Sequence, residues 1–288
     1  MKLMQFWRDG AIRLGMVTES GIVDVTATAD QNKLRAPASM EEVILGGPAS
    51  LRPLAGVQPV YLEGPASYAP CITHPQKILC VGLNYREHTA ECRESLPDHP
   101  VLFSKFPNAL AAHEEEITVT EEAKRLDYEA ELVLVMGRRC KTVSEAEAAA
   151  CIFGYTCGND ISERAVQMSS SQWTMGKCWD QFAPIGPHLV TADALDVSAL
   201  DISCRVNGGQ MQRANTREML FSPAEIVSYL SRYMTLEPGD LIFTGTPSGV
   251  MLGRPAVEQR WLRPGDVVEV TIEGIGTLRN RFVKEEAR

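Results

Sequence analysis

Asp127-Tyr128-Glu129-Ala130-Glu131-Leu132-Val133-Leu134-Val135-Met136-Gly137 enters carrying carboxylates and leaves purely apolar, and it reads as a β-strand around which the chain is organised. Side chains alternate along a strand, so Asp127, Glu129, Glu131, Val133 and Val135 share one face and Tyr128, Ala130, Leu132, Leu134 and Met136 the other. The face that carries the glutamates continues into valines, which places two carboxylates at the mouth of a core. There each disfavours the ionisation of the other unless a positive charge lies between them. A divalent cation is the simplest such partner; a strand end fraying into solvent, or a salt-bridged pair, would satisfy the same spacing.

Working outward, Ile78-Leu79-Cys80-Val81 reads as a buried strand, followed by a glycine turn and a short helical piece, Gly82-Leu-Asn-Tyr-Arg-Glu-His-Thr-Ala-Glu91. Positions three apart on a helix meet, so His88 and Glu91 form a pair suited to general-base work on water. A solvated surface contact is the plain alternative. The Pro-rich segment Ser95–Pro100 extends this into a candidate lid over residues 83–100. Val101–Phe106 reads as another strand. Downstream, Asp160 follows a predicted strand end, where a third carboxylate could reach the first two. Ser144/Glu147 and Ser222/Glu225 are capping boxes opening helices. Pro238-Gly-Asp and Pro264-Gly-Asp are turns feeding strands. Between them, Thr244-Gly-Thr-Pro-Ser-Gly249 is small enough for its backbone N–H groups and Thr246 to approach a carboxylate.

Residues 1–70 alternate short apolar strands with Gly- and Pro-rich turns, which predicts a small β-rich N-terminal domain ahead of a main domain over 71–288. The net charge of -9 is spread along the chain without a Lys/Arg stripe, so nucleic acid is not an expected partner. No apolar run is long enough to span a bilayer, and the N-terminus lacks a signal-peptide core; a cytoplasmic protein with no membrane partner is expected. The eight cysteines form no Cys-x-x-Cys pair and read as buried reduced thiols. Cys178, next to Lys177, is the exception, with an expected lowering of its thiol pKa.

Five segments in order, Gly82–His88, Asp127–Glu131, Asn159-Asp160, Gly176-Lys177 and Thr244–Val250, resemble the fumarylacetoacetate hydrolase (FAH) superfamily from about residue 77 to 283. The resemblance implies an α+β, β-rich fold with an FAH-type mixed β-roll catalytic domain, and a homodimer. It implies one Mg²⁺ or Mn²⁺ per chain held by Glu129, Glu131 and Asp160, a donor set that hard cations prefer. It implies catalytic roles for the His88–Glu91 dyad and Lys177, substrate contacts from Arg164, Gln167 and Thr246, and support of the metal shell by Lys105. Departures are Leu83 where many members carry arginine, Glu163-Arg-Ala165, and Met251 after Val250; the first and last would alter the pocket's far wall.

The leading expectation is metal-dependent hydrolysis of a 2,4-dioxo acid (an acylpyruvate) through an enolate, because the dyad suits water activation. The same scaffold could decarboxylate a β-keto acid such as oxaloacetate, or interconvert enol and keto forms of a ring-cleavage product. A non-catalytic ligand-binding relative is the alternative from another class.

Overall fold

The computed structural model describes residues 1–286. Its central strand, Ala130–Met136, is buried at every position, with Ile152–Asn159 antiparallel on one side and Leu241–Phe243 on the other. An apolar run buried on both faces needs no alternation, and Leu132 through Met136 have none. The organising stretch is not one continuous strand, however. Leu126–Asp127 pairs with Ser162–Glu163, and Tyr128 and Glu129 lie between the two strands. The break is held open by Asn159, whose side-chain oxygen accepts the Glu129 N–H at 2.9 Å, and by Asp160, whose N–H reaches the Glu129 carbonyl at 3.0 Å.

Further out, the sheet continues through Ile78–Gly82, parallel to Leu241–Phe243, to Val101–Lys105 at its edge. On the other side Ile152–Asn159 pairs with Ala183–Thr191, which pairs with Lys2–Arg8. The N-terminal hairpins Lys2–Arg8, Ala11–Thr18 and Gly21–Asp24 therefore belong to the same eleven-stranded sheet as the strands that carry the acidic residues. Residues 1–70 also contain the helices Val25–Gln31 and Met40–Gly46, capped by the side chains of Asp24 and Ser39.

A second, five-stranded sheet runs in the order Gly209–Asn215, Asp201–Val206, Val267–Ile272, Gly276–Lys284, Glu116–Val119. One apolar core, from Leu3 to Phe282, joins the two sheets. Both capping boxes form, and the second opens Pro223–Tyr233, which buries Ile226, Val227 and Leu230 completely. Each such side chain contributes roughly 1.5–3 kcal/mol on burial. The architecture is α+β and β-rich, as expected. Among the described residues no helix is long and apolar enough to cross a membrane.

Candidate active site

Glu129, Glu131 and Asp160 converge although Glu129 lies outside the ladder: each is buried, and each offers an oxygen within 4.8 Å of the others. Three cations surround them. Lys177 Nζ bridges Glu129 Oε2 at 2.8 Å and Asp160 Oδ2 at 2.7 Å. Lys105 pairs with Asp160 Oδ1 and donates to the Phe182 carbonyl at 2.6 Å. Arg164 Nε donates to Asp127 Oδ2 at 2.9 Å, and its Nη2 stands 2.6 Å from Glu129 Oε1. That last contact pairs the buried guanidinium with Glu129 as well as Asp127.

The charges do not balance. Asp127, Glu129, Glu131 and Asp160 are four buried carboxylates against the three cations Lys105, Arg164 and Lys177. Burial would raise the Glu129 carboxyl, but Lys177 and Arg164 outweigh it and hold it down at about 2. Glu131 carries the deficit: burial, then Asp160 and Glu129, push it well above the ordinary carboxylate range, with only the Gly245 N–H, 2.6 Å away, as a close donor. A carboxylate in this position needs a proton or a cation. Three oxygen donors, one of them short of positive charge, fit a hard divalent ion, and Glu129, Glu131 and Asp160 would hold it.

Lys177 reaches the cluster because Gly176 lets Thr174–Lys177 press against Arg164–Gln167; a Cβ on Gly176 would lie 2.5 Å from the Gln167 backbone nitrogen. Gly245 meets a similar constraint. Its φ is +99°, and a Cβ would lie 2.7 Å from the Asn84 Cβ and 2.9 Å from the Val81 carbonyl oxygen. The glycine-rich turn does approach carboxylates, but they are the protein's own: Gly245 donates to Glu131, and Gly249 donates to Glu91 Oε2 at 2.9 Å.

His88 and Glu91 lie on Arg86–Glu91, entered through Leu83 at φ 58°. His88 Nδ1 and Glu91 Oε1 are 2.8 Å apart. Burial pulls the His88 imidazole down, yet Cys92 and Glu91 more than offset this and carry it up to about 9. The pair is therefore neither solvated nor ordinary.

His88, Glu129, Glu131, Arg164, Gln167, Lys177 and Thr246 line one cavity of about 110 Å³, walled also by Leu83, Phe103, Trp173 and Leu252. Asp160 and Glu91 stand behind it, holding the lysines and the histidine. Gln167 Oε1 accepts from Arg164 Nη1 at 2.9 Å. The Thr246 hydroxyl donates to the Ala130 carbonyl at 3.0 Å and accepts from Gln212 at 2.8 Å. Met251 does not line the cavity; its N–H and that of Leu252 donate to Asp127, each at 2.9 Å.

Two scaffold residues, Asn84 and Gln212, escape the sequence reading, and a third, Asp127, has a different role from the one its spacing suggests. Asn84 donates to the Thr244 and Phe221 carbonyls and accepts the Phe221 N–H, tying the dyad helix to the glycine-rich turn. Gln212 accepts the Ala130 N–H at 2.9 Å. Asp127 lies on a separate strand from Glu131 and anchors Arg164 and the 251–252 turn. Lone Asn and Gln carry no spacing signal; Asp127 was visible but grouped with the glutamates. Cys178 is a correction: burial raises its thiol more than Lys105 and Lys177 lower it, and it donates to the Ser104 carbonyl. Every cysteine is free.

Residues 77–283 match the family model described as fumarylacetoacetate (FAA) hydrolase, C-terminal. The chain belongs to that family. It is 37% identical over 295 residues to oxaloacetate tautomerase FAHD2A, mitochondrial, of Bos taurus, covering 98% of this chain and 92% of the relative. The solved fumarylacetoacetate hydrolase of Exiguobacterium antarcticum superposes with TM-score 0.86 at 33% identity over 99% of this chain and all of its own. Maleylpyruvate hydrolase from Sphingobium sp. SYK-6, solved with manganese(II) and pyruvate, gives 0.79 at 28% identity over 99% of this chain and all of its own.

Proposed function

We propose that this chain is a divalent-metal-dependent enzyme that interconverts the enol and keto forms of a short 2-oxo acid of the oxaloacetate class. One observation carries the reading: the His88 imidazole and two carboxylates of the acidic triad, Glu129 and Glu131, line one cavity of about 110 Å³. That volume is well below the roughly 300–1,000 Å³ of drug-sized sites and suits an acid of a few carbons. The bovine relative named oxaloacetate tautomerase, similar over nearly the whole chain, supports the same substrate class.

When bound, the divalent ion supplies a Lewis acid for the 2-oxo group. The chain's residues do the rest. Arg164 and Gln167, joined through Nη1 and lining the cavity, bind the substrate carboxylate. Glu91 fixes the imidazole through Nδ1, leaving Nε2 to carry the proton. Tautomerisation moves one proton between the carbon beside the carbonyl and the carbonyl oxygen, and no other bond breaks. Nε2 gives its proton to one of these atoms and takes one back from the other, which restores the imidazolium. Phe103, Trp173 and Leu252 keep water from the exchange.

Hydrolysis of an acylpyruvate is the second reading, favoured by the 2.8 Å dyad contact, which would equally orient a base on water. Incubation with Mg²⁺ and freshly dissolved enol-oxaloacetate separates the readings. Faster loss of the enol ultraviolet absorbance without carbon dioxide supports tautomerisation, whereas carbon dioxide release marks decarboxylation. Pyruvate and free acid from an acylpyruvate mark hydrolysis. Enol decay no faster than in protein-free buffer overturns the leading reading.

A further inference from the structure

The dyad helix carries a third metal-binding group. Cys92 follows Glu91, so His88, Glu91 and Cys92 stand at i, i+3 and i+4 on one helical face. The Cys92 sulfur is 3.9 Å from both ring nitrogens of His88, and one ligand atom from each of the three residues lies within 4.8 Å of the others. Around a tetrahedral cation, ligand atoms are separated by roughly 3.3–3.6 Å, given bonds of about 2.0–2.3 Å. The 2.8 Å nitrogen–oxygen and 3.9 Å nitrogen–sulfur separations bracket that range and need only side-chain adjustment. His88 and Cys92 line the cavity and Cys92 is only partly buried, so an ion has a path in.

We propose that His88, Glu91 and Cys92 form a second cation site, selective for a soft or borderline ion of the zinc class and inhibitory when filled. The chemistry divides the two sites. Three carboxylates suit hard magnesium or manganese, whereas thiolate with imidazole suits zinc or cadmium. Three protein ligands leave a fourth position for water. Binding displaces the proton of the Cys92 thiol, and that of an imidazolium, to solvent. The ion takes the Nδ1 lone pair and parts His88 from Glu91, so the imidazole no longer shuttles a proton.

The test reads binding without turnover, so its failure is distinguishable from failure of the proposed reaction. Protein saturated with Mg²⁺ is titrated with Cd²⁺ while the ultraviolet thiolate-to-metal charge-transfer band is recorded. The band should saturate at one equivalent, vanish in Cys92→Ser and persist in Cys178→Ser, the other partly buried thiol. Glu91→Gln keeps the sulfur and should weaken Cd²⁺ binding by at least tenfold, which covers the case of a poorly folded Cys92→Ser. A band that survives Cys92→Ser, no band in the wild type, or unchanged affinity in Glu91→Gln overturns the site.

Discussion

The two walls of the cavity are built differently. On the triad wall, Glu129, Glu131 and Asp160 are fixed by Lys105, Lys177, Arg164 and the Gly245 N–H, donors from four separate segments, nearly all fully buried. On the dyad wall, His88 depends on Glu91 and a neighbouring sulfur, and Glu91 is steadied by the Gly249 N–H. The first arrangement locates charge and resists change. In the proposed reaction the second holds a proton that would leave and return, and a loosely tethered imidazole does that better than a fully bridged one.

Substitution on each wall should expose the contrast. Asp160→Asn removes a charge shared by two buried ammonium groups, and breaking such a pair costs about 3–5 kcal/mol. Denaturant unfolding should show that loss, and calorimetry should show greatly weakened Mg²⁺ binding. His88→Ala should lower turnover by about 10²–10⁴-fold, the range of general acid–base catalysis, while leaving Mg²⁺ affinity near wild type. Equal losses of metal affinity in both variants would erase the distinction between the walls.

Gly245→Ala strains both walls at once. Its positive φ and the 2.7 Å approach to Asn84 predict a smaller destabilisation, about 1–3 kcal/mol, measurable as a lowered unfolding midpoint. Wild-type stability there would show that the turn relaxes freely.

The subtlest test is pH. In the metal-free protein His88 is raised from 6.5 to about 9, so its stabilising contribution is complete below pH 6.5 and disappears as pH rises through 9. Glu129 is lowered from 4.5 to about 2, so its contribution is complete above pH 4.5 and is lost as pH falls through 2. Unfolding midpoints should decline on both flanks, and His88→Gln should flatten only the alkaline one. Mg²⁺ should also lower the His88 pKa measured by NMR, since Glu129 is among the charges that raise it.

Much of this was legible in the sequence because it rests on local chemistry. Ser144/Glu147 and Ser222/Glu225 cap their helices within four residues, and His88/Glu91 meet within one turn. The acidic cluster was read from Glu129, Glu131 and a carboxylate past the next strand. The break at Tyr128–Glu129 was not legible, because the Asn159 side chain that holds it is 30 positions away. Cys178 was misread because its neighbour in sequence mattered less than its burial in space. The helices Val25–Gln31 and Met40–Gly46 are too short to show a period, although Asp24 and Ser39 were available as capping signals.

Backbone pairing of Leu3 with Leu189 and Lys2 with Val190 has a practical consequence for anyone trimming the molecule. A fragment begun at residue 71 would bare the margin of Ala183–Thr191, an apolar ribbon with unanswered amide and carbonyl groups, to any passing strand. Such a fragment should aggregate even with every acidic and basic group of the cavity present, so its insolubility would say nothing about the chemistry.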